Sequence, residues 1–162
     1  MVISSNFMND INKIWKILEE VCDPEIPVLS IIDLGIIRNI SFNGAKFLID
    51  VTPTYSGCPA MDMISMDIRL KMLENGFKNF EINTIISPAW TTDWMSESGK
   101  KKLAEYGIAA PNRISDKENG PKECPQCHSK NTILLSEFGS TACKALYQCL
   151  NCKEPFDYFK CH

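Results

Sequence analysis

The spacing of hydrophobic residues predicts a helix near the start of the chain. Over residues 10–21, apolar side chains recur at i, i+3, i+4 and i+7, which places them on one helical face. Asn9 or Asp10 can cap this helix, and Asp23-Pro24 can end it, because the residue before a proline avoids the helical conformation. We therefore expect the fold to open with one amphipathic helix.

A β-hairpin is predicted next. Two runs of strand-forming residues, 36–42 and 45–51, flank the dipeptide Asn43-Gly44. Asn-Gly between such runs is the strongest short sequence signal for a hairpin turn. In the second run every other residue is strongly apolar, which is typical of a strand with one buried face.

Three further elements follow the hairpin. The pattern predicts a helix at 60–75 ended by Gly76, a strand at 79–87, and a helix at 93–106 with Thr92 as its N-cap and Gly107 after its last turn. One face of the helix at 60–75 carries Met61, Ile64, Ile68 and Met72. The resulting order of helices and strands predicts an α+β fold, in which a small sheet carries helices on one face.

A change in composition divides the chain. Residues 109–123 contain two prolines, a glycine and many charged or polar residues and lack apolar periodicity, which predicts a linker at 109–120 between domains at 1–108 and 121–162. The second domain is too short to hold a hydrophobic core without a staple. We expect it to be a small, β-rich domain held together by a metal.

Four cysteines supply the ligands for that metal. They form two C-x-x-C pairs, CPQC and CLNC, at Cys124, Cys127, Cys149 and Cys152. Two such pairs at this separation are typical of a closed, tetrahedral zinc site in which the metal has a structural role. A redox iron centre is the alternative, because four thiolates also suit iron.

The overall composition restricts the class of protein. No run of residues approaches the roughly 18 apolar residues of a membrane helix, and the first residues do not follow the pattern of a signal peptide. We therefore interpret the eight cysteines as cytoplasmic thiols and metal ligands, not as a disulfide framework. A net charge of −3, and a near balance of lysines and acids over 121–162, argue against nucleic-acid binding.

A further cysteine stands out in the first domain. Cys58 lies between Gly57 and Pro59, immediately before the predicted second helix. Proline suits the first position of a helix, and a thiolate beside a helix N-terminus is stabilised by the helix dipole. Such a sulfur is a good nucleophile or metal ligand, although a partly buried cysteine beside a turn would show the same spacing.

Two other segments contain residues with candidate functions. Asp23, Glu25 and Asp33 bring three carboxylates into a short, proline-containing stretch, where turn formation and capping are the simpler explanation for each. Trp90 and Trp94 flank a helix start, where tryptophans pack at the edge of a core more often than they bind a ligand. If exposed, this pair would suit a partner surface.

Taken together, these segments resemble a known family. DPEIPV followed by DLG, then TPTYSGCP, then PAWTTDW, occur in the order and spacing of the iron–sulfur cluster assembly family, also called domain of unknown function 59. With the tail from SEFGSTACKALY to FKCH, nearly the whole chain resembles the PaaD (PaaJ) subunits of ring-1,2-phenylacetyl-CoA epoxidase systems in aerobic phenylacetate degradation.

The resemblance implies a role and a set of site residues. It implies a non-catalytic subunit that assists iron–sulfur cluster or iron assembly in the oxygenase and the iron–sulfur flavin reductase subunits, with the general assembly machinery as a further candidate partner. Cys58 matches the family's cluster- or metal-binding thiol, and Asp23 and Glu25 match its acidic motif. Cys143, Cys161 and His162 match the tail and are candidate additional ligands or a redox thiol.

Several functions remain open from the sequence. A rubredoxin-like electron-transfer component, with redox-active iron in the four-cysteine site, is the alternative to the maturation role. A nucleic-acid-binding ribbon is the weakest interpretation. The chain has neither the paired Glu-x-x-His motifs of a di-iron oxygenase nor a glycine-rich dinucleotide loop. If Cys58 holds a cluster, its other ligands must come from a second copy, as a homodimer, or from a partner.

Overall fold

The computed structural model describes residues 3–112 and 120–160. These residues form two compact units, divided between Trp90 and Thr91. No described helix is long and apolar enough to cross a membrane.

The first unit is an α+β sandwich, as predicted. Its elements in chain order are α1 (Ile3–Leu18), β1 (Ile37–Phe42), β2 (Phe47–Val51), α2 (Ala60–Glu74) and β3 (Phe80–Thr84). The sheet has the order β1-β2-β3, in which β1 is antiparallel to β2 and β2 is parallel to β3. Since parallel neighbours need a crossover connection, α2 lies between β2 and β3 in the chain.

The predicted hairpin joins β1 and β2. Phe42 pairs with Phe47, so the connection has four residues and is longer than the two-residue turn that Asn-Gly favours. The Asn43 carboxamide oxygen accepts hydrogen bonds from the backbone N–H groups of Ala45 and Lys46. Gly44 has a φ of +96°, a conformation that side chains disfavour.

The core of the first unit lies between the helices and the sheet. It contains α1, β2 and α2 side chains that are almost completely buried: Ile14, Leu18, Ile49, Val51, Ile64, Ile68 and Met72. Met61 was predicted to share the buried face of α2, but it is only half-buried, and Ala60 is buried at that end of the helix.

The predicted start of α1 is wrong. The helix begins at Ile3, so Asn9 and Asp10 lie inside it and do not cap it. The additional turns carry Phe7, whose ring stacks on Phe42 with a centroid separation of 4.2 Å. This contact with β1 stabilises residues that the 10–21 periodicity did not include.

The second unit contains a four-stranded sheet. After a 3₁₀ helix (Thr92–Trp94), its elements are α3 (Glu97–Glu105), β4 (Ile108–Ala109), β5 (Thr132–Ser136), β6 (Lys144–Cys149) and β7 (Pro155–Phe159). The sheet has the order β4-β7-β6-β5, with β4 parallel to β7 and the other pairs antiparallel. The C-terminal part is therefore β-rich, as predicted.

The start of α3 differs from its prediction. Thr92 lies in the 3₁₀ helix, and the N-cap of α3 is Ser96, whose hydroxyl accepts the Gly99 N–H at 2.8 Å. The end of the helix is as expected, since Gly107 follows it with a φ of +90°. Serine is a preferred N-cap residue, and Ser96 caps α3 in place of Thr92.

The units divide the chain earlier than the boundary predicted at residue 108. Ile108 and Ala109 form β4, which pairs with Asp157 and Tyr158 of β7. The first residue of the predicted linker, Ala109, is therefore part of the second sheet. Residues 113–119 of that linker lie outside the described residues. A two-residue strand has no periodicity that a sequence pattern can reveal.

The two faces of α2 predict different effects of mutation. Ile68→Ala should lower the free energy of unfolding of the first unit by about 2–5 kcal/mol, because Ile68 is fully buried. Leu70→Ala should change it by less than about 0.5 kcal/mol, because that side chain is 52% exposed. Amide hydrogen exchange of β2 and α2 during chemical denaturation measures both effects. Equal destabilisation by the two variants would contradict the assignment of faces.

Candidate metal centre and transfer thiol

The two C-x-x-C pairs form equivalent turns. In the first, the N–H of His128 donates to the carbonyl of Cys124 at 2.9 Å, and in the second, the N–H of Lys153 donates to the carbonyl of Cys149 at 3.0 Å. His128 and Lys153 both have left-handed backbones, with φ of 60° and 68°. This conformation ends each turn in the same way, although neither residue is the glycine that such positions favour.

The four sulfur atoms are gathered at one point. The sulfurs of Cys124 and Cys152 are 3.8 Å apart, those of Cys127 and Cys149 are 3.6 Å apart, and all four lie within 4.8 Å of one another. A tetrahedral site with metal–sulfur bonds of about 2.3 Å requires sulfur atoms about 3.8 Å apart. The donor set therefore fits one four-coordinate thiolate-bound metal ion.

The local electrostatics favour a cation at this point. The backbone N–H of Cys152, together with that of Asn151, lowers the pKa of the Cys149 thiol to about 6, although burial opposes this shift. At Cys152 a backbone N–H of Glu154 favours the thiolate, but burial and the neighbouring sulfur atoms raise the pKa to about 12. Four thiols this close do not all ionise at neutral pH by themselves, whereas a bound metal ion deprotonates its thiol ligands.

The four-cysteine group is also the centre of a small hydrophobic core. Cys124 and Cys149 are fully buried and cluster with Ala109 of β4 and Phe156 of β7. The rings of Tyr147 and Phe156 stack with a centroid separation of 6.1 Å. This apolar cluster is small, so the cross-link between the two turns makes a large contribution to the stability of the sheet.

The remaining tail residues lie outside this group. Cys143 is buried, and its sulfur is 3.0 Å from the Thr141 hydroxyl, but it is not one of the four gathered ligands. Cys161 and His162 lie outside the described residues, so their candidate roles remain predictions. Within the described residues, the set of four is therefore complete as a tetrahedral site without Cys143.

Cys58 lies in a different setting, at the N-terminus of α2. Pro59 is the N-cap of this helix and Cys58 precedes it, one position earlier than a proline in the first helical position would place it. Cys58 is half-exposed, and Gly57 before it has a φ of +78°. No side chain caps α2. An anionic ligand is favoured at such a helix terminus.

The acidic motif has a structural role in this unit. A carboxylate oxygen of Asp23 accepts the N–H groups of Glu25 at 2.7 Å and Ile26 at 2.9 Å, which fixes the turn after α1. Over residues 3–112 and 120–160, the four-cysteine group is the one set of three or more such ligands gathered for a metal. Cys58, Asp23 and Glu25 therefore do not form a second preassembled site in the described chain.

The three motif segments of the first domain, DPEIPV to DLG, TPTYSGCP and PAWTTDW, are joined by hydrogen bonds in the fold. The sequence did not reveal these contacts. The Trp90 indole N–H donates to the Leu34 carbonyl at 2.8 Å, and the Thr52 N–H donates to the Ile36 carbonyl at 2.9 Å. Trp90 is buried, so it packs into the core, whereas Trp94 is half-buried. The loop that carries Cys58 thus begins at a residue that is hydrogen-bonded to the neighbouring segment.

The geometry of the metal centre predicts the effect of removing one ligand. Cys149→Ser should abolish tight metal binding and unfold residues 121–162, because a small core loses its cross-link, while the first unit stays folded. Metal content per chain and amide hydrogen exchange measure these effects. Cys143→Ser is the matched control, since Cys143 is similarly buried but lies outside the group. Full metal content in Cys149→Ser would contradict the assignment.

Comparison with known proteins also divides the chain into an N-terminal and a C-terminal part. Residues 11–74 match the family model of the iron–sulfur cluster assembly protein, and residues 109–160 match that of the PaaD zinc beta ribbon domain. The crystal structure of a domain of unknown function 59 from Bacillus anthracis superposes with a TM-score of 0.53 at 29% identity and covers 57% of this chain and 90% of that one.

Two relatives extend the match in sequence. An Fe-S protein maturation auxiliary factor of Porphyromonas gingivalis is 35% identical over 62% of this chain and 97% of its own length. A protein of Escherichia coli K12, named as one of the subunits of 1,2-phenylacetyl-CoA epoxidase, is 51% identical over 93% of both chains. The chain therefore belongs to the PaaD family, in which an iron–sulfur cluster assembly domain is followed by a zinc-ribbon-type metal site.

Proposed function

We propose that this protein is a non-catalytic accessory factor of a phenylacetyl-CoA epoxidase. It acts in the cytoplasm and assists the assembly of iron–sulfur clusters or iron in partner subunits, namely the oxygenase and the iron–sulfur flavin reductase. The names of its relatives support both parts of this proposal, since one is an epoxidase subunit and another is a maturation factor. The free thiols among the described residues suit a reducing compartment.

The observation that carries the maturation role is the incomplete ligand set at Cys58. This thiol is half-exposed at a helix N-terminus, and it belongs to no group of three or more metal ligands in the described structure. A resident cofactor needs a closed set of ligands, whereas a cluster in transit needs a site that leaves coordination positions open to the recipient. One accessible cysteine therefore suits transient holding, with the remaining ligands supplied by a client protein or a second copy.

The acids of the motif support this site indirectly. Asp23 fixes the turn after α1 through two backbone hydrogen bonds, so we assign it a positioning role. Glu25 is half-buried in the same turn and is the acid whose carboxylate we propose to assist metal transfer. Neither acid replaces the thiol, because soft thiolate ligands select iron–sulfur clusters and carboxylates do not.

We assign structural zinc to the four-cysteine site. Four thiolates leave no open coordination position, which suits a stabilising metal and not a catalytic one. In protein purified anaerobically this site should therefore contain about one zinc per chain and contribute no visible absorbance. Elemental analysis and absorption spectroscopy test this assignment. One iron per chain with a visible thiolate-to-iron absorption would contradict it.

Iron in this site would favour the second candidate function, a rubredoxin-like electron-transfer component of the same epoxidase. The observation in its favour is the exposure of Cys127, which brings one ligand of the metal to the protein surface. An electron carrier needs such an exposed edge. Zinc has no redox chemistry in proteins, so a four-cysteine site filled with zinc could not carry electrons.

The maturation role predicts the state of the partner subunits in cells. A strain that lacks this chain should grow poorly on phenylacetate, and its purified partner subunits should contain less than half of their normal iron or cluster. Cys58→Ala should reproduce this defect without a large change in melting temperature, because it removes a half-exposed side chain at a helix end. Iron and sulfide analysis of the purified subunits measures the result.

The matched control is Cys22→Ala, which removes the exposed thiol beside the acidic motif and should leave loading intact. Fully loaded and active partner subunits from the deletion strain would overturn the proposal. If the partner subunits were loaded but stayed inactive until this protein was added back, the result would favour the electron-transfer role.

A further inference from the structure

The outer face of α2 is apolar although it faces solvent. Met63, Met66, Leu70 and Leu73 are 54%, 62%, 52% and 51% exposed. At 3.6 residues per turn, these four residues form one stripe on the side of the helix opposite the buried residues Ala60, Ile64, Ile68 and Met72. We call Met63, Met66, Leu70 and Leu73 the α2 stripe.

The stripe has the spacing of a helix-pairing seam. Its residues are separated by three, four and three positions, which is the pattern of a and d positions in two heptads. Unbranched methionines adapt to different apolar partners and are common on surfaces that bind several proteins. Such a face fits an apolar stripe on a helix of another chain.

The area of the stripe fits a transient contact. Four half-exposed side chains leave on the order of 400 Å² of apolar surface, the size of patches that are often functional on monomers. A standard stable interface buries about 800 Å² on each partner. The stripe therefore supplies about half of what a permanent complex needs.

The charges that border the stripe are mainly acidic. Asp67 and Glu74 lie along one border, and Asp62 and Arg69 lie along the other. In a parallel pair with a second copy, Asp62 would meet Asp67 while Arg69 would meet Glu74. In an antiparallel pair, Asp67 would meet Glu74 while Asp62 would meet Arg69, so each arrangement keeps a like-charge contact that an opposite-charge contact offsets. A helix with basic borders meets no such repulsion on the Asp67 and Glu74 side.

We propose that the α2 stripe is the docking surface for an amphipathic helix of a client protein, with lysine or arginine beside its apolar face. The partner's role as a recipient of metal from Cys58 rests on the proposed function. The stripe begins at Met63, five residues after Cys58 in the chain and in the first turn of α2, so a client docked on it has its own chain near the helix end that carries Cys58. Weak docking also suits release after transfer.

Synthetic amphipathic peptides test the surface on the full-length protein. One probe is a Leu/Lys helix of roughly five turns, and the other is the same helix with Glu in place of Lys. The wild type should bind the Leu/Lys peptide at least tenfold more tightly in fluorescence anisotropy. The double variant Met66→Ser/Leu70→Ser should lose at least tenfold in affinity for it. The control Met8→Ser/Ile86→Ser, which removes two other exposed apolar side chains, should stay within twofold.

A charge-reversal pair keeps the test decisive if the serine variant is poorly folded. Asp67→Lys/Glu74→Lys should invert the peptide preference, because it makes that border basic. Glu97→Lys/Glu105→Lys changes the net charge equally on α3 and should not invert it. Equal binding of both peptides, or inversion by both variants, would overturn the proposal. A concentration-dependent dimer that the stripe variant abolishes would also overturn it, in favour of a second copy.

The surface and the transfer role can fail separately. Cys58→Ala should leave affinity for the Leu/Lys peptide unchanged while it blocks loading of partner subunits. Normal loading by Cys58→Ala, with peptide binding still lost in the stripe variant, would reject the transfer role and keep the surface. Normal loading by the stripe variant in cells, with unchanged peptide affinity, would reject the surface and keep the transfer role.

Discussion

The burial of one face of α2 in the core of the first unit fixes which of its residues face solvent. Ile64, Ile68 and Met72 are buried, so the rotation of the helix about its axis is fixed. The same rotation turns the α2 stripe to solvent. Because β2 and β3 are parallel, the chain must enter α2 through a loop at the end of β2, and Cys58 lies on that loop. The position of the thiol thus follows from the topology of the sheet.

The second unit depends on a different constraint. Its strands are short, and the buried cluster around Cys124 and Cys149 contains few apolar side chains. Burial alone would not offset the entropy of ordering so small a sheet. A metal bound by the four cysteines would cross-link a turn before β5 to a turn between β6 and β7, two segments that are distant in sequence. A metal held by these thiols would therefore add to the small hydrophobic core of the segment.

Sequence patterns predicted the parts of this molecule that local physics determines. Strand-forming runs on either side of Asn43-Gly44 identified β1 and β2, helical periodicity identified most of the buried face of α2, and the C-x-x-C spacing identified the four cysteines that the fold gathers. The errors arose where tertiary contacts decide. Phe7 extends α1 by stacking on Phe42, and β4 exists only because β7 lies beside it. The hydrogen bond from Trp90 to Leu34 spans residues too distant for any pattern to connect.

The two kinds of cysteine site differ in how completely the protein satisfies the metal. In the four-cysteine site, all four ligands come from one chain and lie at tetrahedral distances. An ion bound there would have no coordination position left for exchange. Cys58 belongs to no group of three or more metal ligands among the described residues, so in the proposed function the rest of the coordination sphere would come from another molecule. A closed site holds its metal through folding and turnover, whereas an open one exchanges it. The proposed transfer role therefore requires the two sites to be separate, because one ligand set cannot be closed and open at once.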